Sequence, residues 1–133
     1  MFPFSPHSAT KLAVGDLIAV PTLTGKWTCL QVLELEPRAR TTFVVGRLPW
    51  VGSGRPTAEA VAGLAPLERA LTRIEIFTHG QLEVVGNVEP SISDQPSFYG
   101  TYGVGTVSRV WGWQAAIRIA QSLDEGLDEA AAR

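Results

Sequence analysis

The sequence predicts an α+β fold that is mainly β: a curled antiparallel sheet or small barrel of five to six strands, with a short inserted helix and a C-terminal helix. Short runs rich in β-branched and aromatic residues follow one another and are separated by glycine- and proline-containing turns. Units that alternate strand with helix do not occur, which argues against a doubly wound parallel sheet. Apolar residues at helical spacing predict the C-terminal helix: Trp113, Ala116, Ile117, Ala120 and Leu123.

The first three predicted strands lie in the N-terminal half of the chain. Residues 16–21 and 27–36 read as two strands joined by a hairpin-like turn, in which Gly25 supplies a residue able to take a positive φ. Residues 41–50 read as the third strand because they are rich in β-branched and aromatic side chains. Gly46 interrupts this run, and we predict a bulge or bend there.

Two short helical pieces are predicted between the third and fourth strands. Residues 57–64 contain good helix formers, with Thr57 as the N-cap and Gly63 as the C-terminal stop. Residues 66–71 begin with a proline, which suits the first turn of a helix. Both pieces are expected to be short.

A hairpin is predicted for the fourth and fifth strands. Residues 72–79 would form the fourth strand, with Ile74 and Ile76 on one face. The tight connection around Gly80 leads into the fifth strand, residues 81–88. A last short strand is expected over 105–113.

Length and composition predict one domain. A chain of 133 residues with 45% hydrophobic residues can bury roughly two-thirds of its unfolded surface around a single core. Residues 1–10 contain two prolines and no periodicity, so they are predicted as a flexible arm, mobile or tethered to the surface. Residues 11–123 form the predicted domain, and 124–133 an acidic tail that extends the helix or frays.

The charge and the cysteine content of the chain limit the classes of binding partner and the cellular locations that we expect. Eleven Lys and Arg against thirteen Asp and Glu give a net charge of −2, and the basic residues do not cluster, which argues against duplex nucleic acid as a partner. The sequence contains no long apolar run and no signal-peptide pattern, so we expect no membrane association and a cytoplasmic location. The single cysteine, Cys29, is interpreted as a buried packing thiol.

The sequence contains no recognisable catalytic or metal-binding motif, and we predict that the chain is not an enzyme and binds no cofactor and no metal. The two histidines, His7 and His79, lie in the arm and at a turn, and a zinc site needs more ligands than these provide. A pocket uniting His79 with Asp16 and a serine such as Ser97 would be required for general-base chemistry. The oligomeric state cannot be deduced from the sequence.

Aromatic residues gather where the strand pattern ends. Phe98, Tyr99 and Tyr102 lie in an irregular segment among prolines and glycines, and Arg109 follows them. Loops of this kind often carry binding residues, and exposed aromatic and arginine side chains are frequent interface anchors. These four residues are the predicted partner contacts. The alternative, that the aromatics only cover an open sheet edge, has equal weight. Most of the four tryptophans are assigned to the core.

Two motifs resemble the immunity protein 26 family of bacterial polymorphic-toxin systems. The first runs from a Gly-Asp pair through an aliphatic strand, a glycine turn and an aromatic residue: Gly15, Asp16, Ala19, Pro21, Gly25, Trp27, Gln31, Val32 and Leu33. The second is a "VVGN" strand, a proline-bearing spacer and an aromatic pair: Val84, Val85, Gly86, Asn87, Pro96, Phe98 and Tyr99. The resemblance spans roughly residues 11 to 102.

The resemblance implies an antidote that binds a cognate protein toxin stoichiometrically and blocks it without catalysis. The residues alone leave a second hypothesis open: a small β-barrel adaptor that binds a peptide or single-stranded nucleic acid through an aromatic surface. Titration with single-stranded oligonucleotides at low salt discriminates the two, because an antidote is expected not to bind them.

Overall fold

The computed structural model describes residues 2–91 and 110–132. Five antiparallel strands form one open, curled sheet in the order β4-β3-β2-β1-β5, so the predicted mainly-β class is confirmed. The strands are β1 Asp16–Pro21, β2 Trp27–Glu34, β3 Thr42–Gly52, β4 Glu68–Arg73 and β5 Glu83–Asn87. The helices are α1 Ala58–Val61, α2 Glu75–Thr78 and α3 Trp113–Ala132. In this part of the chain β4 and β5 are the sheet edges, and the ladder does not close into a barrel.

The β1–β2 hairpin forms as predicted. Gly25 has a φ of +83°, and the turn is closed by the Thr22 amide, which donates to the Lys26 carbonyl at 2.8 Å. The Lys26 amide donates in return to the Thr22 hydroxyl at 3.0 Å. The hairpin therefore fixes the register that places Pro21 opposite Trp27.

The predicted fourth strand and the hairpin that follows it are wrong. The strand β4 lies earlier: it takes up residues 68–71, predicted as helical, and only 72–73 of the predicted strand, while residues 75–78 form α2. Ile74, Ile76 and Phe77 are all buried in the same apolar cluster. A strand would have sent Ile76 and Phe77 to opposite faces, whereas a helical turn buries both. The chain then crosses the sheet, so β4 and β5 lie at opposite edges.

Gly46 is not at a bulge. It pairs in regular register with Gln31 on β2 and with Arg69 on β4. A Cβ at this position would lie 2.7 Å from both the Leu33 side chain and the Pro66 side chain. The glycine therefore permits close packing, which the sequence pattern does not distinguish from a bulge.

The helices cover both faces of the sheet. On one face, α3 packs against β1, β2, β3 and β4 and against α2. Its predicted stripe is confirmed, because Ala116, Ala120 and Leu123 are buried while Gln114 and Arg118 are exposed. The helix continues past residue 123 to Ala132. None of the helices in the described ranges has the length and apolar composition needed to span a membrane.

On the other face, α1 covers a smaller apolar cluster of Leu17, Cys29, Leu48 and Val61. Its N-cap is Thr57, as predicted, whose hydroxyl accepts from the Ala60 amide at 3.1 Å. Because both faces are covered, the middle strands are buried on both sides. This explains why β2 reads as an almost continuous apolar run instead of alternating.

Both sheet edges are bordered by short pieces of chain. Phe4 and Val84 exchange two backbone hydrogen bonds of 3.0 and 2.7 Å, and the Ser5 hydroxyl donates to the Leu82 carbonyl, so the N-terminal segment is tethered along β5. At the opposite edge, Val110 bridges to Leu71. Of the predicted last strand over 105–113, residues 110–113 are described: Val110 alone forms a bridge, and Trp113 is instead the first residue of α3.

Candidate functional site

Some residues of the two motifs that carry the family resemblance meet at one corner of the fold. Asp16 is buried, and its two carboxylate oxygens accept hydrogen bonds from the Ala13 amide and the Asn87 side chain, each at 2.9 Å. The Gly15 carbonyl accepts from the Val88 amide at 3.1 Å. The start of β1 is thereby joined to the end of β5. We interpret these motif residues as a structural joint.

Gly15 and Gln31 complete this corner. Gly15 has a φ of +96°, and a Cβ there would lie 2.5 Å from the Val88 carbonyl oxygen. The buried Gln31 side chain donates to the same oxygen at 2.8 Å. A glycine is therefore needed for both the backbone conformation and the close approach.

Among the described residues, no hydrogen bond joins the Asp16 and His79 side chains considered from the sequence as a catalytic combination. Asp16 has its hydrogen bonds to Ala13 and Asn87, whereas His79 is exposed at the end of α2, with its Nδ1 3.0 Å from the Thr78 hydroxyl. Ser97 lies outside the described residues. Within the described ranges, no three His, Cys, Asp or Glu side chains form a group that could hold a metal ion.

Cys29 is fully buried, as predicted for a packing thiol, and its Sγ donates to the Leu30 carbonyl at 3.4 Å. Burial raises the pKa of this thiol from 9.0 to about 12, partly offset by a backbone hydrogen bond from Ile18. The raised pKa keeps the side chain protonated and unreactive at neutral pH.

The raised pKa of the Cys29 thiol predicts that the free energy of unfolding falls at high pH. The unfolded chain loses the thiol proton near pH 9 and the folded chain near pH 12, so unfolding becomes easier as the pH rises between these values. We expect Cys29 to lower the free energy of unfolding by about 1.4 kcal/mol per pH unit in this window and not below it. Urea denaturation at about pH 8 and about pH 10 measures the slope. Cys29→Ala serves as the control, and an equal slope in the two proteins would refute the assignment.

The four predicted partner contacts, Phe98, Tyr99, Tyr102 and Arg109, lie outside the described residues. Their proposed role therefore stays a prediction. The described surface offers another candidate for binding, which the sequence did not single out.

This candidate is a hollow of about 250 Å³ beside the β1–β2 hairpin, which we call the Trp27–Arg55 hollow. It is lined by Ala19, Pro21, Trp27, Arg55 and residues 80–83. Trp27 is half-buried at the first position of β2, and Arg55 extends from the loop after β3. The hollow thus combines two residue types that dominate binding energy in protein interfaces.

Three side chains of the hollow hold one another in place. The Arg55 guanidinium carbon lies 5.2 Å from the centre of the Trp27 ring, in cation–π geometry. Its Nη2 donates to Glu83 Oε1 at 2.7 Å, and both side chains are partly exposed, by 45% and 37%. The guanidinium is therefore positioned from two sides while still facing solvent.

The backbone at the rim of the hollow is unusual. Gln81 has a φ of +60°, a left-handed conformation that residues other than glycine adopt rarely. Its amide donates to the Phe77 carbonyl at 3.0 Å, which ends the turn after α2 and directs the chain into β5. Such conformations cluster at functional sites, which supports the choice of the Trp27–Arg55 hollow as a candidate site.

A second, larger hollow of about 460 Å³ lies along the N-terminal segment. It is lined by Phe4, Pro6, His7, Ser8 and Lys11. Its walls are mainly apolar, and it offers few polar groups to orient a ligand. We therefore regard the Trp27–Arg55 hollow as the better candidate site.

Sequence reasoning assigned most of the tryptophans to the core. Trp111 is buried, and Trp50 and Trp113 pack against the two apolar clusters. Trp27 differs because it borders the hollow. Its signal in the sequence is its place at the strand end next to an exposed turn, and Arg55 stands in a glycine-containing loop where no local pattern marks it.

Comparison of the chain with protein-family models, with curated proteins and with solved structures gave no match. The function is therefore argued from the residues themselves. The two features that bear on it are the corner at Asp16, which holds the scaffold, and the Trp27–Arg55 hollow, which faces solvent.

Proposed function

We propose that this chain is an immunity protein that binds a cognate bacterial toxin in the cytoplasm and neutralises it by a stoichiometric protein–protein interaction. The single observation that carries the proposal is the Trp27–Arg55 hollow. It presents a tryptophan and an oriented arginine on a rigid sheet. Such a surface is suited to binding, because large side chains held in place before contact lose little entropy when a partner docks.

The size of the hollow fits the centre of an interface. A standard interface buries about 800 Å² on each partner, and a few tryptophan, tyrosine or arginine anchors near its centre carry most of the energy. A cavity of about 250 Å³ accommodates one or two side chains of a partner. The exposed Leu23 of the adjacent turn extends the same end of the molecule.

The resemblance to the immunity protein 26 family supports the proposal from a different direction. Its motif residues Gly15, Asp16 and Asn87 hold the sheet together at one corner. A shared scaffold with a divergent contact surface is expected of immunity proteins, because each must recognise its own toxin and reject others. The hollow lies outside this corner and combines both kinds of residue: Ala19, Pro21 and Trp27 belong to the first motif, whereas Arg55, Gln81 and Glu83 do not. We expect the divergence among immunity proteins at the second set.

We expect a gene beside the one for this chain to encode the toxin, and the proposal is tested in living cells with that gene product. Expression of the toxin alone should stop growth, and co-expression of this chain should restore it. The matched negative control is the double variant Trp27→Ala, Arg55→Ala, with folding verified by thermal denaturation. Growth arrest that wild-type protein does not relieve would refute the proposed function.

The four aromatic-segment residues are tested in the same assay. We expect a quadruple alanine variant at Phe98, Tyr99, Tyr102 and Arg109 to rescue growth less well than wild type if these residues contact the toxin. A folded quadruple variant that rescues fully would assign them to covering the sheet edge.

A further inference from the structure

The guanidinium of Arg55 is fixed by its neighbours, but some of its N–H groups have no hydrogen-bond acceptor among the described residues. Its Nη2 donates to one oxygen of Glu83, and its Cζ lies over the Trp27 ring, 5.2 Å from the ring centre. A guanidinium carries five N–H groups arranged along two edges. Whichever edge faces Glu83, the other keeps two parallel N–H groups, and no described residue accepts from them. That second edge has the geometry that binds a carboxylate in a bidentate manner.

The arrangement disfavours a cation as the occupant. The Trp27 ring is already covered by Arg55, and the near oxygen of Glu83 is already an acceptor. A lysine or arginine of a partner could reach only the second oxygen of Glu83, and there it would lie beside the positive charge of Arg55. An incoming carboxylate leaves both contacts intact and meets a guanidinium whose orientation is already fixed.

The remaining wall of the hollow is apolar. Pro21 is exposed and provides most of the accessible apolar surface beside the charged pair, because Ala19 and Leu82 are buried. At the rim, the exposed Gln81 side chain can donate a neutral hydrogen bond. The surface therefore combines a bidentate cation, a neutral donor and an apolar floor.

We infer that the Trp27–Arg55 hollow binds an acidic side chain of a protein partner, with an apolar residue next to that acid in contact with Pro21. The inference rests on the proposed function, because it names the chemistry of the toxin surface that the chain recognises. The aspartate or glutamate of the partner receives the free edge of Arg55. The neighbouring apolar residue excludes water from this ion pair and thereby strengthens it.

A library of displayed random peptides tests the inference without knowledge of the toxin. Selection on wild-type protein should enrich peptides that carry an Asp or Glu next to an apolar residue. Selection on Arg55→Gln should lose this enrichment. Selection on Arg73→Gln should keep it, since Arg73 is likewise exposed and paired with a glutamate, Glu75, but lies on β4 at the far edge of the sheet.

One enriched peptide then gives a quantitative readout. Replacement of its acidic residue by the amide should weaken binding to wild-type protein about tenfold or more, and should change binding to Arg55→Gln little. Equal melting temperatures of wild type and Arg55→Gln exclude unfolding as the cause.

Three results would overturn the inference: wild-type protein enriches no acidic peptide, it enriches basic peptides, or Arg55→Gln enriches the same peptides as wild type. The outcome is separable from that of the proposed function. Acidic enrichment without growth rescue refutes the immunity role alone. Growth rescue that Arg55→Gln retains in full refutes the carboxylate site alone.

Discussion

Replacing Gly15 with alanine is expected to lower the free energy of unfolding by about 2–5 kcal/mol. Two costs combine. A φ of +96° is unfavourable for any residue with a Cβ, at about 1–2 kcal/mol. The added Cβ would also lie 2.5 Å from the Val88 carbonyl oxygen, and relief requires a backbone shift at the corner where β1 and β5 meet, costing about 1–3 kcal/mol. Urea denaturation measures the total.

The chain provides a matched control for this substitution. Gly25 and Gly63 also have positive φ values, of +83° and +82°, but nothing lies within 4 Å of a Cβ at either position. We expect Gly25→Ala and Gly63→Ala to cost only the conformational part, about 1 kcal/mol each. If Gly15→Ala costs no more than they do, the close approach to Val88 does not constrain the fold.

Replacing Trp27 with alanine is expected to weaken toxin binding about 100-fold, which corresponds to about 2.7 kcal/mol. The substitution removes the ring from the hollow and also the surface on which Arg55 is oriented. Calorimetry or surface plasmon resonance with the purified toxin measures the loss. The rate of dissociation should carry most of it.

The control for Trp27 lies in the same hairpin. Leu23 is 89% exposed, so Leu23→Ala tests whether any apolar loss at this end of the molecule weakens binding. We expect a change below about threefold for Leu23→Ala, because an isolated exposed side chain is seldom a hot spot. Equal losses for the two variants would show that the hollow is not the anchor.

The parts of the fold that local chemistry determines could be predicted from the sequence. The β1–β2 hairpin follows from Gly25 between two apolar runs, and α3 follows from its apolar stripe at helical spacing. The N-cap at Thr57 is equally local. Each depends on residues only a few positions apart, so no tertiary information is required.

The prediction of the fourth strand was wrong because the apolar residues there fit both a strand and a helical periodicity. Ile74 and Ile76 are two residues apart, as in a strand, but the packing of Phe77 on Phe43, with ring centres 6.0 Å apart, buries all three together and favours a helical turn. A short apolar run does not distinguish these possibilities. Which strand pairs with which is a property of the assembled core.

The candidate site could not be predicted for a related reason. Trp27, Arg55 and Glu83 come from three elements, and the Arg55–Glu83 ion pair joins residues 28 positions apart. A lone arginine in a glycine-containing loop carries no local signal of its partner. The sequence instead directed attention to the aromatic segment around Tyr99, whose role stays a prediction.

Titration of the purified toxin with this chain tests the central claim most directly, because the amount needed for inhibition separates binding from catalysis. The account predicts that toxin activity falls linearly and reaches zero at one equivalent, together with a complex of one chain per toxin in light scattering. Inactivation by a small fraction of an equivalent would reveal turnover, and full toxin activity in the presence of excess chain would reveal no interaction. Either result would contradict the account.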